Sequence, residues 1–236
     1  MTPRKLAVFD VDGTLVRSFE LDGKCYFAAF EDALGINDID TDWARYDHVT
    51  DPGIAAQVIR ERQGREPSVD ELGRLQSVFR VRLAEAASRD GAYAPLPGAA
   101  GLLAALRARA DWAMALATGG WREATRVKIG RSGLDLDDLP AAFGEDGPSR
   151  QAIVRAAIAR AREQAGVENF ARIVCIGDGV WDVRTAAGLG LPCVGVGTGG
   201  RAERLAAAGA TRVVPDFTDL EAIFNALENA TPPMSG

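Results

Sequence analysis

From Trp112 onward the chain alternates short apolar runs with helical stretches, and this alternation restricts the fold more than any other feature. "WAMALAT" (112–118), "RIVCIGD" (172–178) and "LPCVGVG" (191–197) are uniformly apolar, and "RVVPDF" (212–217) is a shorter fourth run. Runs this short, without polar alternation, read as strands buried on both faces. Helical stretches separate them at about 121–131, 148–164 and 180–187. A last helix starts near Asp219, where Thr218 and Glu221 have the spacing of a capping box. Strands joined through helices must run parallel, because a parallel pair needs a long crossover. Leu6–Phe9 is one more strand of the same kind. The expectation is an α/β fold, a Rossmann-like parallel sheet core with helices on both faces.

Residues 17–95 do not follow this period. They hold three helical patterns and no buried strand. The first covers about 20–34 and stops at Gly35. The second opens at "DPGIAAQVI", with Asp51 as cap and Pro52 in the first turn. The third opens at Ser68, with Glu71 completing a capping box, and carries Leu72, Leu75, Phe79 and Leu83 as one apolar stripe. The division expected is a core of 1–16 and 96–236, interrupted after its first strand by an inserted α-helical cap of 17–95.

Ligands of an open parallel sheet bind beyond the carboxyl ends of its strands. The first strand ends in "DVDGT", giving Asp10 and Asp12. The second ends at Thr118, before Gly119 and Gly120, and another ends at Asp178, with Asp182 four residues on. Carboxylates gathered this closely repel one another unless a cation holds them ionised. A set of oxygen ligands without imidazole or thiolate suits magnesium. The single histidine, His48, removes zinc sites built from several histidines. No G-x-S-x-G elbow is present to complete a serine triad. Cys25, Cys175 and Cys193 lack metal-ligand spacing, which fits a reduced, cytoplasmic protein. A net charge of −6 with scattered arginines gives no footprint for nucleic acid, and no apolar run is long enough for a membrane span. No cleavable leader is expected. Oligomeric state cannot be read.

"DVDGT", "ATGG" and "GDGVWD", in this order, resemble the motifs of the haloacid dehalogenase superfamily, and the insert resembles its C1-type cap in phosphoglycolate-phosphatase-like members. The resemblance spans nearly the whole chain. It implies a magnesium-dependent phosphatase acting on a small phosphorylated metabolite through an aspartyl phosphate. Asp10 would be the nucleophile. Asp12 would be the general acid and then base, its backbone carbonyl touching the metal. Thr118 and the adjacent backbone N–H groups would hold phosphoryl oxygens, and Gly13 would let the backbone turn close to them. Asp178 would complete the metal ligands, with Asp182 acting through water or as a partner that orients those ligands. The family's usual lysine before the last motif is missing, and Arg150 stands at about its place. Phosphate and substrate contacts are therefore expected from Gly13, Thr118, Gly119, Arg150 and, in the cap, His48. Lys128, on a helix body, is expected to be a solvated surface residue. The alternatives are a phosphotransferase or phosphomutase of the same fold, or a non-catalytic phosphate- or dinucleotide-binding module, the latter prompted by "GVGTGG" (195–200).

Overall fold

The computed structural model describes residues 5–89 and 91–234. Its centre is β1 (Lys5–Phe9), flanked by β2 (Trp112–Ala117) and β4 (Arg172–Gly177). Beyond β2 lies β3 (Ala141–Ala142), and beyond β4 lie β5 (Cys193–Val196) and β6 (Arg212–Val214). The order β3-β2-β1-β4-β5-β6 is parallel throughout. The two-residue strand β3 is too short to show a period, and the sequence reading passed over it.

Successive residues of each strand face opposite sides of the sheet, and both sides are buried. Leu6 and Val8 pack with Ala115, Cys175 and Cys193 under α6 (Arg150–Ala165) and α7 (Val180–Leu189). Ala7 and Phe9 face the other way, with Leu116 and Val174, under α4 (Ala99–Arg107) and α9 (Leu220–Asn229). Leu102, Leu103 and Leu106 of α4 are almost fully buried. Each contributes on the order of 1.5–3 kcal/mol of transfer free energy, so this one short helix is firmly anchored. The remaining core helices are α5 (Arg122–Ser132) and α8 (Gly199–Ala207).

The insert carries α1 (Phe19–Leu34), α2 (Asp51–Gln63) and α3 (Val69–Ala86). Gly35 ends α1 at φ 67°, and Ser68 and Glu71 form the expected capping box of α3. Two cap assignments change. Thr50, not Asp51, caps α2, its hydroxyl accepting the Gly53 N–H, which leaves the Asp51 carboxylate available elsewhere. Asp219 caps α9, because Thr218 is turned back onto Asp216 through its N–H and hydroxyl. The connections into and out of the insert lie side by side: Val16 bridges to Pro95, the Arg17 N–H bonds to Ala94 and the Leu96 N–H to Leu15. Among the described residues, no helix is long and apolar enough to cross a membrane.

Candidate active site

The strand order reverses between β1 and β4, the switch point at which a parallel sheet opens a crevice. Asp10 follows β1 and Asp178 follows β4, so the topology alone sets these two carboxylates side by side. The Asp10 N–H still bonds to Ile176 across the sheet, and the chain then turns sharply, with the N–H groups of Leu15 and Val16 both on the Val11 carbonyl. Gly13 makes this turn at φ 77°, and a Cβ there would fall on the Asp178 carboxylate. The glycine of "DVDGT" is thus needed both for its conformation and for the room it leaves.

Asp10, Asp178 and Asp182 are all buried, and each offers an oxygen within 4.8 Å of the others. Asp182 also accepts the Gly179 N–H at the start of α7. The Thr14 hydroxyl lies 3.5 Å from Asp10 and 3.4 Å from Asp178. Burial drives the Asp10 carboxyl well above the usual carboxylate range, and the charge of Asp182 adds to this while Arg150 opposes it. Burial likewise pushes Asp178 up to about 7, with Asp182 again the next cause. Arg201 donates to Asp178 Oδ2 at 2.6 Å, yet burial still drives these hard oxygen donors toward protonation, and such a set is the donor chemistry that a divalent hard cation satisfies. Of the four residues expected around a metal, these three converge. The carboxylate of Asp12, expected there only through its carbonyl, points elsewhere.

Arg150 sits in the first turn of α6. Its Nη2 donates to Asp10 Oδ1 at 3.1 Å and also to Asp182, while Nη1 donates to the Val49 carbonyl of the insert at 3.0 Å. One guanidinium therefore ties the carboxylate cluster to the loop before α2. That loop lies directly against the second strand end. The Asp51 N–H bonds to the Gly119 carbonyl at 2.8 Å, and a Cβ on Gly119 would collide with Val49 and Arg150. Thr118 is buried, its hydroxyl accepting the Gly120 N–H. Asp10, Asp12, Thr118, Gly119 and Arg150 share one cleft with Asp22, Tyr26, Trp43, Thr50, Asp51 and Phe79 of the insert. His48 is not brought there. It is exposed, and its neighbours Val49 and Thr50 line the cleft in its place.

Lys128 overturns its expected place on the surface. It is 0 % exposed, with Nζ 2.7 Å from Asp12 Oδ2 and 2.9 Å from Asp22 Oδ2. Burial alone would pull its pKa down, but Asp12, Asp22 and Asp51 reverse this and hold the ammonium charged. The other oxygen of Asp12 accepts from the Ser18 hydroxyl at 2.6 Å. A signal for this was present in α5: its buried face is Ala124, Thr125, Lys128 and Ser132, a stripe at helical spacing that is largely polar. A helix with no apolar face to bury buries a polar one. Asp22 and Asp51 had no such signal. Burial pushes Asp22 up to about 6 and Asp51 up to about 8, with Lys128 acting against both shifts.

Asp51 carries a pH prediction. Its Oδ2 accepts the Trp121 N–H at 2.8 Å, and the folded carboxyl keeps its proton to about 8 against an ordinary value of 3.8. The folded pKa is the raised one. The associated stability is therefore complete below the unfolded pKa and is lost as pH climbs through the folded pKa. Asp51→Asn retains an acceptor for Trp121 and removes the titration. Melting curves of chelator-treated protein between pH 5 and 8 are expected to fall less steeply for this variant than for wild type.

Comparison with known proteins agrees with this geometry. A family model for haloacid dehalogenase-like hydrolases matches residues 4–190. No curated protein matches significantly. Among solved structures, a hydrolase from Pseudomonas syringae is similar at a TM-score of 0.72 and 22% identity, covering 95% of this chain and 99% of that one. CbbY from Rhodobacter sphaeroides, solved in complex with phosphate, is similar at 0.69 and 24%, covering 94% and 98%. A structure described as a predicted phosphoglycolate phosphatase from Haemophilus somnus is similar at 0.65 and 21%, covering 95% and 99%. At these identities the structures speak for the fold. The family match runs from the first strand through the last acidic motif, over the same strand ends that gather Asp10, Thr118, Asp178 and Asp182, and the chain belongs to the haloacid dehalogenase-like hydrolases.

Proposed function

We propose that the chain is a magnesium-dependent phosphatase that hydrolyses a small phosphorylated metabolite through an aspartyl phosphate on Asp10. The observation that carries this reading is the separation of two adjacent carboxylates into different surroundings. Asp10 lies in the acidic cluster against Arg150, while Asp12 is held by Lys128 and Ser18. One carboxylate is set as nucleophile and the other as a proton carrier.

Asp10 attacks phosphorus in line, and the bond to the leaving oxygen breaks as Asp12 delivers its proton there. Asp12 then takes a proton from the water that hydrolyses the acyl phosphate. Arg150, Thr118 and the backbone beside Gly119 stabilise the phosphoryl oxygens. Magnesium, held by Asp10, Asp178 and Asp182 with the carbonyl of Asp12, would supply the positive charge that keeps these carboxylates ionised and neutralises the phosphoryl group. The insert of 17–95 acts as a lid, hinged where Val16 and Pro95 pair, and excludes water when shut. Three buried, free cysteines support a reduced cytoplasmic setting.

The test is phosphate release from a panel of phosphomonoesters. Activity is expected with magnesium, is expected to vanish with a chelator, and is expected to return on adding the metal back. Undiminished turnover after exhaustive chelation, or none on any ester, overturns the proposal.

A further inference from the structure

The leaving-group side of the cleft is made of aromatic rings and carboxylates. Tyr26, Trp43 and Phe79 reach it from the insert and Trp181 from α7, with Asp22 and Asp51 among them. Arg150 is the one cationic side chain on the cleft wall among the described residues, and it is engaged by Asp10, Asp182 and the Val49 carbonyl. Lys128 is fully buried and does not line the cleft. Two carboxylates, those of Asp12 and Asp22, share that single ammonium. The Oδ1 atom of Asp22 is buried without a hydrogen-bond partner among the described residues. An unpaired buried carboxylate oxygen on a residue that lines the cleft is an exception that a donor close by would satisfy, since such groups are otherwise paired.

These features select by charge. A leaving group bearing a carboxylate or a second phosphate would enter beside Asp22 and find no unengaged cation on the cleft wall to pair with it, in a site where low dielectric magnifies the repulsion. A cation would gain from the Asp22 carboxylate and from the negative faces of the rings, the combination by which proteins bind ammonium groups. Building on the phosphatase reading above, we propose that the leaving alcohol carries a positive charge: the substrate is a small aminoalkyl or quaternary-ammonium phosphomonoester whose cation rests against Asp22 and the surrounding rings.

The test compares choline phosphate with 3,3-dimethylbutyl phosphate, which has the same shape with carbon in place of the charged nitrogen. Carboxymethyl phosphate supplies a negative charge, and para-nitrophenyl phosphate reports the basic phosphatase chemistry. With magnesium present, kcat/KM is expected to be at least about tenfold higher for choline phosphate than for its carbon isostere, and lowest for the carboxymethyl ester. Asp22→Asn is expected to bring the ratio of the first two toward one, and Trp43→Leu to reduce it. Equal rates for the isosteric pair in the wild type, or preference for the carboxymethyl ester, overturn this inference while the aryl ester is still hydrolysed. Failure to release phosphate from any ester, the aryl one included, overturns the phosphatase reading and this inference with it.

Discussion

Asp10→Asn is expected to fold as the wild type does and to lose turnover by on the order of 10⁴-fold or more. The side chain is isosteric, so the packing at the end of β1 is unchanged. Its removal takes an ionisable carboxyl from a cluster in which burial first, and the charge of Asp182 next, raise the Asp10 and Asp178 carboxyls, so thermal stability without metal is expected to hold or rise. An amide nitrogen or oxygen is a poor nucleophile at phosphorus, and no other carboxylate lies in the place of Asp10 to form the acyl phosphate. Steady-state kinetics with magnesium, read beside a melting curve, separate the two effects. Near-normal hydrolysis by the variant would remove Asp10 from the nucleophile role. A loss of turnover together with a collapse in melting temperature would mean that the carboxylate is structural.

Lys128→Met is expected to cost both stability and chemistry. The substitution keeps most of the side-chain volume but leaves Asp12 and Asp22 without their shared cation. Breaking a buried ion pair by removing one partner costs about 3–5 kcal/mol, which for a protein of this size lowers Tm by on the order of 10 °C. The chemical effect is expected to depend on the leaving group. Lys128 holds the Asp12 carboxylate at 2.7 Å, and Asp12 matters most when the departing oxygen needs a proton. Turnover of an alkyl phosphate is therefore expected to fall roughly ten times further than that of para-nitrophenyl phosphate, whose leaving group departs without help. Melting curves and the two substrates measured side by side check this. Equal losses on both substrates would show Lys128 to be a structural bridge between α5 and α1 with no bearing on the acid.

The two predictions differ in how they could be found. Asp10 was legible because "DVDGT" follows an apolar run, and the end of a parallel strand is where such a sheet binds ligands. The same reasoning reached Thr118, Gly119, Asp178 and Asp182, since each closes or follows a strand. Gly13 was marked as a turn, and only the structure added that a side chain there would displace Asp178. Lys128 was misread because a lysine on a helix body is ordinarily solvated. The place of His48 at the entry to α2 says nothing of the direction its side chain takes; the loop turns Val49 and Thr50 inward and leaves His48 outside.

The sequence by itself determined the α/β core, the helical insert after the first strand and the acidic chemistry at the strand ends. Those features depend on local period and on the order of elements along the chain, and both are written in one dimension. Tertiary structure alone decided which charges meet. Asp12 and Lys128 lie 116 residues apart, Lys128 and Asp22 106, and Arg150 and Asp10 140. Their pairing follows from the β1–β4 switch point and from the insert folding back over it. Burial then raises the energetic stakes of every charge enclosed, so that a lysine unremarkable in sequence becomes the cation between the proposed acid and Asp22 of α1.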